Sequence, residues 1–62
     1  MEPERDEERQ QTAFMSGYHY GSKQPTVTDK HLKVEAWTRF GHEAERDAFI
    51  KGYKAAVSRL GS

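Results

Sequence analysis

Apolar and small residues recur at helical spacing in two stretches of this chain that share one pattern. Residues 13–21 read Ala-Phe-Met-Ser-Gly-Tyr-His-Tyr-Gly, and residues 48–56 read Ala-Phe-Ile-Lys-Gly-Tyr-Lys-Ala-Ala. In each copy the Phe, the Tyr and two small positions fall on one stripe of a helix, at about 100° per residue. Small residues four apart let another backbone approach closely. The repeat therefore predicts two helices that pack on each other or on a common third helix.

The spacing of the apolar residues predicts an all-α chain, a small three-helix unit. We expect a first core helix over 12–20, a loop over 21–28, a second helix over 29–40 and a third over 42–60. In this arrangement the first and last helices pack through their Gly/Ala and aromatic faces, and the second helix closes the core. The predicted core residues are Phe14, Gly17, Tyr18, Leu32, Trp37, Phe40, Phe49, Gly52, Tyr53, Val57 and Leu60.

Local signals define the ends of the second helix. Pro25 disfavours helical angles at the residue before it, and Thr28 or Asp29 is expected to cap the helix that follows. Gly41 stands where a left-handed C-terminal cap is common. The sequence also allows a helix that runs straight through Gly41 into the third.

The N-terminal segment differs from the rest of the chain in charge. Residues 1–11 hold five acids against two arginines, whereas residues 12–62 hold eight bases against five acids. Acids behind Pro3 suit a helix N-terminus, where the helix dipole favours negative charge. A frayed helix and a disordered leader are both compatible with this composition. We therefore predict an acidic leader over 1–11 and a single small helical domain over 12–62.

Size and composition limit the possible classes of protein. A chain of 62 residues with 34% hydrophobic residues and no cysteine is at most one domain, near the lower size limit for folding on its own core. Either its apolar residues are concentrated on a few faces, or the chain forms a homodimer. No apolar run approaches the roughly 18 residues that cross a bilayer, and no signal peptide is recognisable. We expect a cytoplasmic protein with no membrane partner.

Residues able to do chemistry are scattered along the chain. His19, His31 and His42 lie in three different segments, without the spacing that makes ligands converge on a metal. The acids at the start of the third helix alternate in direction and suit the helix dipole. We expect no metal, no cofactor, no catalytic residues and no enzymatic activity.

An aromatic and basic patch is the best candidate for binding a partner. Tyr20 lies about 200° from Tyr18 around a helix, so both cannot face one interior. His19 and Tyr20 could form an exposed patch with Lys23, and Lys51 and Lys54 lie one turn apart on the third helix. Such patches bind proteins or stack on unpaired RNA bases. The alternatives are that Tyr20 only covers the loop and that the lysines form solvated helix faces.

The repeat also resembles a known family. Ala-Phe-x-x-Gly-Tyr-x-x-Gly at 13–21 and Ala-Phe-x-x-Gly-Tyr-x-x-Ala at 48–56 are similar to elements of ribosome modulation factor and its relatives among small phage and plasmid proteins. The family carries Gly-Tyr-x-x-Gly in one helix and Gly-Trp-x-x-Ala in a second, where this chain has Tyr53. Its Pro-Tyr turn between the helices is replaced here by a longer segment that contains Trp37. The resemblance implies a helical pair that binds ribosomal RNA and promotes inactive, dimerised ribosomes.

The sequence therefore favours a small regulatory protein that docks on a protein partner through an aromatic and charged helix face. A ribosome-associated, RNA-binding modulation factor is the alternative. An acidic leader that could cover the mildly basic body favours the first, and that body falls well short of the basic surface of a dedicated nucleic-acid binder.

Overall fold

Three helices account for most of the chain. A computed structural model describes residues 3–61, with side chains from residue 7 onward, and contains α1 (Pro3–Lys23), α2 (Asp29–Arg39) and α3 (Glu43–Leu60). No strand occurs within residues 3–61. The predicted all-α three-helix unit is confirmed, and so is the packing of the first helix on the last. Met1, Glu2 and Ser62, which belong to the predicted leader and chain end, lie outside the described residues.

The repeat packs α1 against α3 with almost no space between the two backbones. A Cβ atom added to Gly17 would overlap the carbonyl oxygen of Phe49, and one added to Gly52 would overlap the carbonyl oxygen of Phe14. A Cβ on Gly21 would lie 2.8 Å from the Tyr53 oxygen. Real Cβ atoms do not approach backbone so closely, so the helix crossing requires glycine at these positions. This packing reason explains why α1 tolerates glycines inside a helix.

The two helices run in the same direction and are related by an internal two-fold arrangement. Gly17 faces the Phe49–Tyr53 turn, and Gly21, one turn further on, faces Tyr53 and Ala56. The contacts of Gly17 and Gly52 mirror each other, since every contacted residue in α3 lies thirty-five positions after its counterpart in α1. The sequence repeat is therefore a structural repeat, with equivalent residues in equivalent places.

Helix α2 covers one side of this pair and packs on α3. Leu32 and Ala36, one helical turn apart, are the buried residues of α2. They join Ala13, Phe49 and Tyr53 in the hydrophobic core. Because the backbone of α2 approaches α3 closely but not α1, α2 buries a narrow stripe and leaves the rest of its surface exposed.

The loop before α2 is held by the Tyr53 hydroxyl. This hydroxyl accepts a hydrogen bond from the Val27 backbone N–H at 2.9 Å and donates to the Gln24 carbonyl at 2.9 Å. Thr28 then caps α2, because its Oγ1 accepts from the His31 N–H at 3.2 Å. The prediction of an N-cap at this point is confirmed, with Thr28 as the capping residue.

Two predicted helix ends are wrong. Helix α1 continues through Gly21 to Lys23, because Gly21 belongs to the crossing with α3 and does not end the helix. Gly41 is not a left-handed cap, since no glycine in the described range has a positive φ. Helix α2 instead ends on Phe40 in an extended conformation, with its N–H donating to the Ala36 carbonyl. Helix α1 begins at Pro3, so the described part of the predicted leader is helical.

Three predicted core residues are exposed. Trp37 is 68% exposed, Leu60 57% and Phe14 38%. Trp37 lies outside the narrow stripe that α2 buries, Leu60 stands in the last turn of α3, and Phe14 faces the side of the helix pair that α2 does not cover. Of the other predicted core residues, Gly17, Leu32, Phe49, Gly52 and Tyr53 are buried, and Tyr18, Phe40 and Val57 are half-buried.

None of the helices in the described residues is both long enough and apolar enough to cross a membrane.

Candidate functional site

The residues that the sequence predicts to bind a partner do not form one surface. His19, Lys23, Lys51 and Lys54 are exposed, but Tyr20 is half-buried. His19 borders a groove along α1 and Lys51 lines a neighbouring depression between α1 and α3, with Phe14 in both, whereas Tyr20 faces the other side of α1. The predicted patch around His19 and Tyr20 is therefore divided between different sides of the helix pair.

Tyr20 packs inward. Its ring lies 5.8 Å from the Phe49 ring and 5.7 Å from the Tyr53 ring, between centroids. Arg39 of α2 covers it, with the guanidinium carbon 5.2 Å from the Tyr20 centroid, and Glu35 holds that guanidinium at 3.1 Å. The prediction of an exposed Tyr20 is wrong because α2 lies on the side of α1 that Tyr20 faces. Tyr18, about 200° away, faces the opposite side.

The surroundings of Tyr20 change its acidity. Burial raises the pKa of the Tyr20 hydroxyl above its ordinary value, and the negative charge of Glu35 raises it further. The nearby Arg39 guanidinium acts in the opposite direction, and Tyr53 adds a small further rise. Tyr20 therefore stays neutral to a higher pH than a free tyrosine, which suits a packed ring.

The outer face of α2 presents the largest exposed aromatic side chain. Trp37 is 68% exposed and Val34, one turn before it, is 55% exposed. Together with neighbouring side chains they line a shallow, mostly apolar groove of about 450 Å³. Its lining residues, which we call the Trp37 surface, are Lys30, Lys33, Val34, Trp37 and Thr38.

The Trp37 ring is held in place from α3. The guanidinium carbon of Arg46 lies 3.7 Å from the Trp37 ring centroid, within the range of a cation–π interaction. Arg46 is half-buried and belongs to α3, the helix on which α2 packs. The indole is therefore preorganised and still open to a partner on its other side.

The charges around Trp37 are unevenly placed. Lys30 and Lys33 line the Trp37 surface, which contains no acidic side chain. Glu43 and Asp47 line a neighbouring depression together with Trp37, Arg46 and Lys33. The side of Trp37 that faces the groove is thus apolar with a positive border.

The sequence contains a signal for this surface. Lys30, Lys33, Val34 and Trp37 recur at spacings of three and four, which places them on one stripe of α2. The signal is difficult to interpret from sequence because Trp37 directly follows Ala36 and is easily assigned to the buried stripe.

The histidines and acids do not gather into a metal site. Within the described part of the chain, no three His, Cys, Asp or Glu side chains are placed to hold a metal ion. His31 lies 3.6 Å from Glu35 on the exposed side of α2, His42 precedes α3, and His19 lies on α1.

Comparisons of the chain with protein-family models, with curated proteins and with solved structures gave no significant match.

Proposed function

We propose that this chain is a non-enzymatic regulatory protein that docks on a protein partner through the Trp37 surface. The observation that supports the proposal best is the combination of a 68% exposed Trp37 with Arg46 stacked 3.7 Å from its centroid. A large exposed aromatic side chain lowers solubility, and tryptophan is among the residue types enriched at the energetic centres of interfaces.

The surface also indicates the chemistry of the partner. An apolar groove bordered by Lys30 and Lys33 fits a segment that offers apolar side chains next to acidic ones. Trp37 would supply the buried anchor, and the lysines would steer the approach and fix its orientation. Because Arg46 already holds the ring, docking would lose little side-chain freedom at Trp37.

This assignment places docking on α2 instead of on the His19–Lys23 end of α1. Tyr20, the aromatic residue of the patch that the sequence predicts, is packed against Phe49 and Tyr53. Lys54 remains exposed on α3, and it serves as a control site away from the groove.

The test is affinity purification from the native host with the wild-type chain and three variants. Trp37→Ala should lose the partner and keep the helical circular dichroism spectrum, because the removed side chain is mostly exposed. Lys33→Glu should weaken capture, whereas Lys54→Glu, the same charge change outside the groove, should not. A partner that is retained by Trp37→Ala, or lost equally with both charge variants, would contradict the proposal.

RNA is the second candidate ligand, on a specific observation. An exposed indole next to Lys30, Lys33 and Arg46 also suits stacking on an unpaired base with nearby phosphates. The resemblance to ribosome modulation factor implies ribosomal RNA as that ligand. Ribosomal material that is lost from wild-type purifications after nuclease or high salt would support this candidate, whereas a nuclease-resistant protein would support protein docking.

The cellular setting belongs to the same proposal. The cysteine-free composition suits the reducing cytoplasm. The resemblance to small phage and plasmid proteins suggests an accessory factor of that type.

A further inference from the structure

The internal repeat gives the α1–α3 pair two equivalent faces, and α2 covers one of them. On the covered face, Phe49 is fully buried and Tyr53 is 4% exposed. The equivalent residues of α1 are Phe14 and Tyr18, on the opposite side of the helix pair. No helix of the described chain covers that second side, which we call the open face.

The open face is apolar and concave. Phe14 is 38% exposed and Met15 62% exposed. Phe14, Met15, Tyr18, His19 and Ser22 line a groove of about 530 Å³. A neighbouring depression on the α3 side is lined by Gln10, Gln11, Phe14, Ala44, Asp47, Ala48 and Lys51. The large side chains of α1 thus lie beside small alanines of α3. They form a ridge and a groove against which another helix can pack.

Charge is separated along the open face from one end to the other. Because α1 and α3 run in the same direction, their N-terminal halves lie at one end, where Glu7 and Glu8 of α1 and Asp47 of α3 outnumber Arg9. Lys23 and Arg59 lie in the last turns of the two helices, at the other end. The face therefore carries an excess of acids at one end and of bases at the other.

We propose that the open face binds a second copy of this chain in an antiparallel homodimer. A two-fold axis perpendicular to the helices places each helix against its own copy running the opposite way. The acidic end of one copy then meets the basic end of the other. A parallel pairing would place acids on acids and bases on bases, which is unfavourable.

The order of charges beside Phe14 agrees with this geometry. Asp47 and Lys51 lie one helical turn apart at the edge of the face. In an antiparallel pairing of α3 with its copy, Asp47 of each chain can meet Lys51 of the other. The two-fold symmetry then gives two identical ion pairs. Such self-complementarity is what a symmetric interface requires.

A second copy also completes a small core. Only three large side chains, Leu32, Phe49 and Tyr53, are buried in the described chain. Chains of this size bury too little apolar surface for ample stability and commonly gain it by association. Covering Phe14 and Met15 would double the number of buried repeat faces without moving α2.

Dimerisation would leave the Trp37 surface accessible, since α2 lies on the covered side. The dimer would present two Trp37 surfaces. A repetitive or dimeric partner could then bind both at once, which would raise its overall affinity. The dimer does not depend on the proposed function, because the two surfaces share no residue.

Sedimentation equilibrium of the purified full chain over a series of concentrations tests the proposal. We expect the average mass to rise from one chain to two. Met15→Glu should raise the dissociation constant roughly tenfold or more, with its helical spectrum intact because Met15 is exposed. The matched control is Val34→Glu, which places the same charge at a similarly exposed apolar position of α2 and should dimerise as the wild type does.

A charge exchange tests the orientation. Asp47→Lys and Lys51→Asp should each weaken the dimer, and the double variant should restore it, because the exchanged pairs meet across the antiparallel interface. A chain that stays monomeric at all concentrations, assembles beyond two copies, or loses dimerisation equally with Met15→Glu and Val34→Glu would overturn the proposal. Failure of the double variant to restore dimerisation would overturn the antiparallel arrangement.

Discussion

The two copies of the repeat have the same residues and different surroundings. Phe49 is fully buried, whereas its counterpart Phe14 is 38% exposed. The hydroxyl of Tyr53 holds the backbone of the loop before α2, whereas the hydroxyl of Tyr18 accepts an exposed bond from Arg59 at 3.2 Å. The repeat encodes the crossing of α1 and α3, but the position of α2 decides which copy becomes core.

The comparison separates two kinds of contribution to stability. The glycines contribute equally to the helix crossing in both copies, since each one lets its own helix approach the backbone of the other. The aromatics act unequally, because only one set is covered within the chain. Substitutions at the two equivalent glycines should therefore lower the free energy of unfolding by similar amounts. Substitutions at the two equivalent aromatics should lower it by different amounts.

The largest effect is expected at the glycine crossing. Gly52→Leu and Gly17→Leu should each cost at least about 3 kcal/mol of unfolding free energy, because the added side chain meets a backbone carbonyl that cannot move aside. The two losses should be similar, which thermal unfolding followed by circular dichroism can measure.

Gly41→Ala is the control for this prediction. An added Cβ there meets nothing within 4 Å, and the backbone does not need a positive φ. Its effect should stay within about 0.5 kcal/mol. An unchanged melting temperature for Gly52→Leu would contradict the packing described for α1 and α3.

A smaller effect is expected from the two equivalent tyrosines. Tyr53→Phe leaves the part-buried Val27 N–H and the Gln24 carbonyl without their partner, which should cost about 1–3 kcal/mol. Tyr18→Phe removes an exposed bond to Arg59 and should cost less than about 0.5 kcal/mol. Urea unfolding of both variants measures the difference, and equal losses would show that the loop does not depend on Tyr53.

The smallest effect concerns Tyr20 at alkaline pH. Because its pKa is raised in the folded chain, the folded state binds the phenolic proton more tightly than the unfolded state. This contribution is fully present below the unfolded pKa of about 10 and is lost as the pH rises through the folded value. Tyr20→Phe should therefore reduce the alkaline loss of unfolding free energy. A wild-type and a Tyr20→Phe chain with the same alkaline slope would contradict the raised pKa of Tyr20.

Some of this organisation could be predicted from the sequence. The three helices follow from apolar periodicity, the cap of α2 from Thr28, and the close crossing from glycines placed four residues from a second small position. These features depend on local spacing and on backbone geometry, which a sequence displays directly.

The exposure of individual aromatics could not be predicted in the same way. Helical periodicity identifies apolar faces, but it does not tell which face a third helix will cover. Phe14 and Phe49 have the same local pattern, and Tyr20 differs from Tyr18 only in the side it faces. Trp37 adjoins Ala36, so its spacing predicts a core position, although the narrow stripe that α2 buries leaves it exposed. For the same reason the sequence pattern does not reveal the Trp37 surface or the open face.

The most direct test of the account compares Phe49→Ala with Phe14→Ala by equilibrium unfolding, in protein dilute enough to be monomeric. Phe49→Ala should cost about 3–5 kcal/mol, since it empties a fully buried site. Phe14→Ala should cost only about 1–2 kcal/mol, because its ring is partly in water and leaves no closed cavity. Equal losses would contradict the account, because they would mean that both copies of the repeat are covered in the folded monomer.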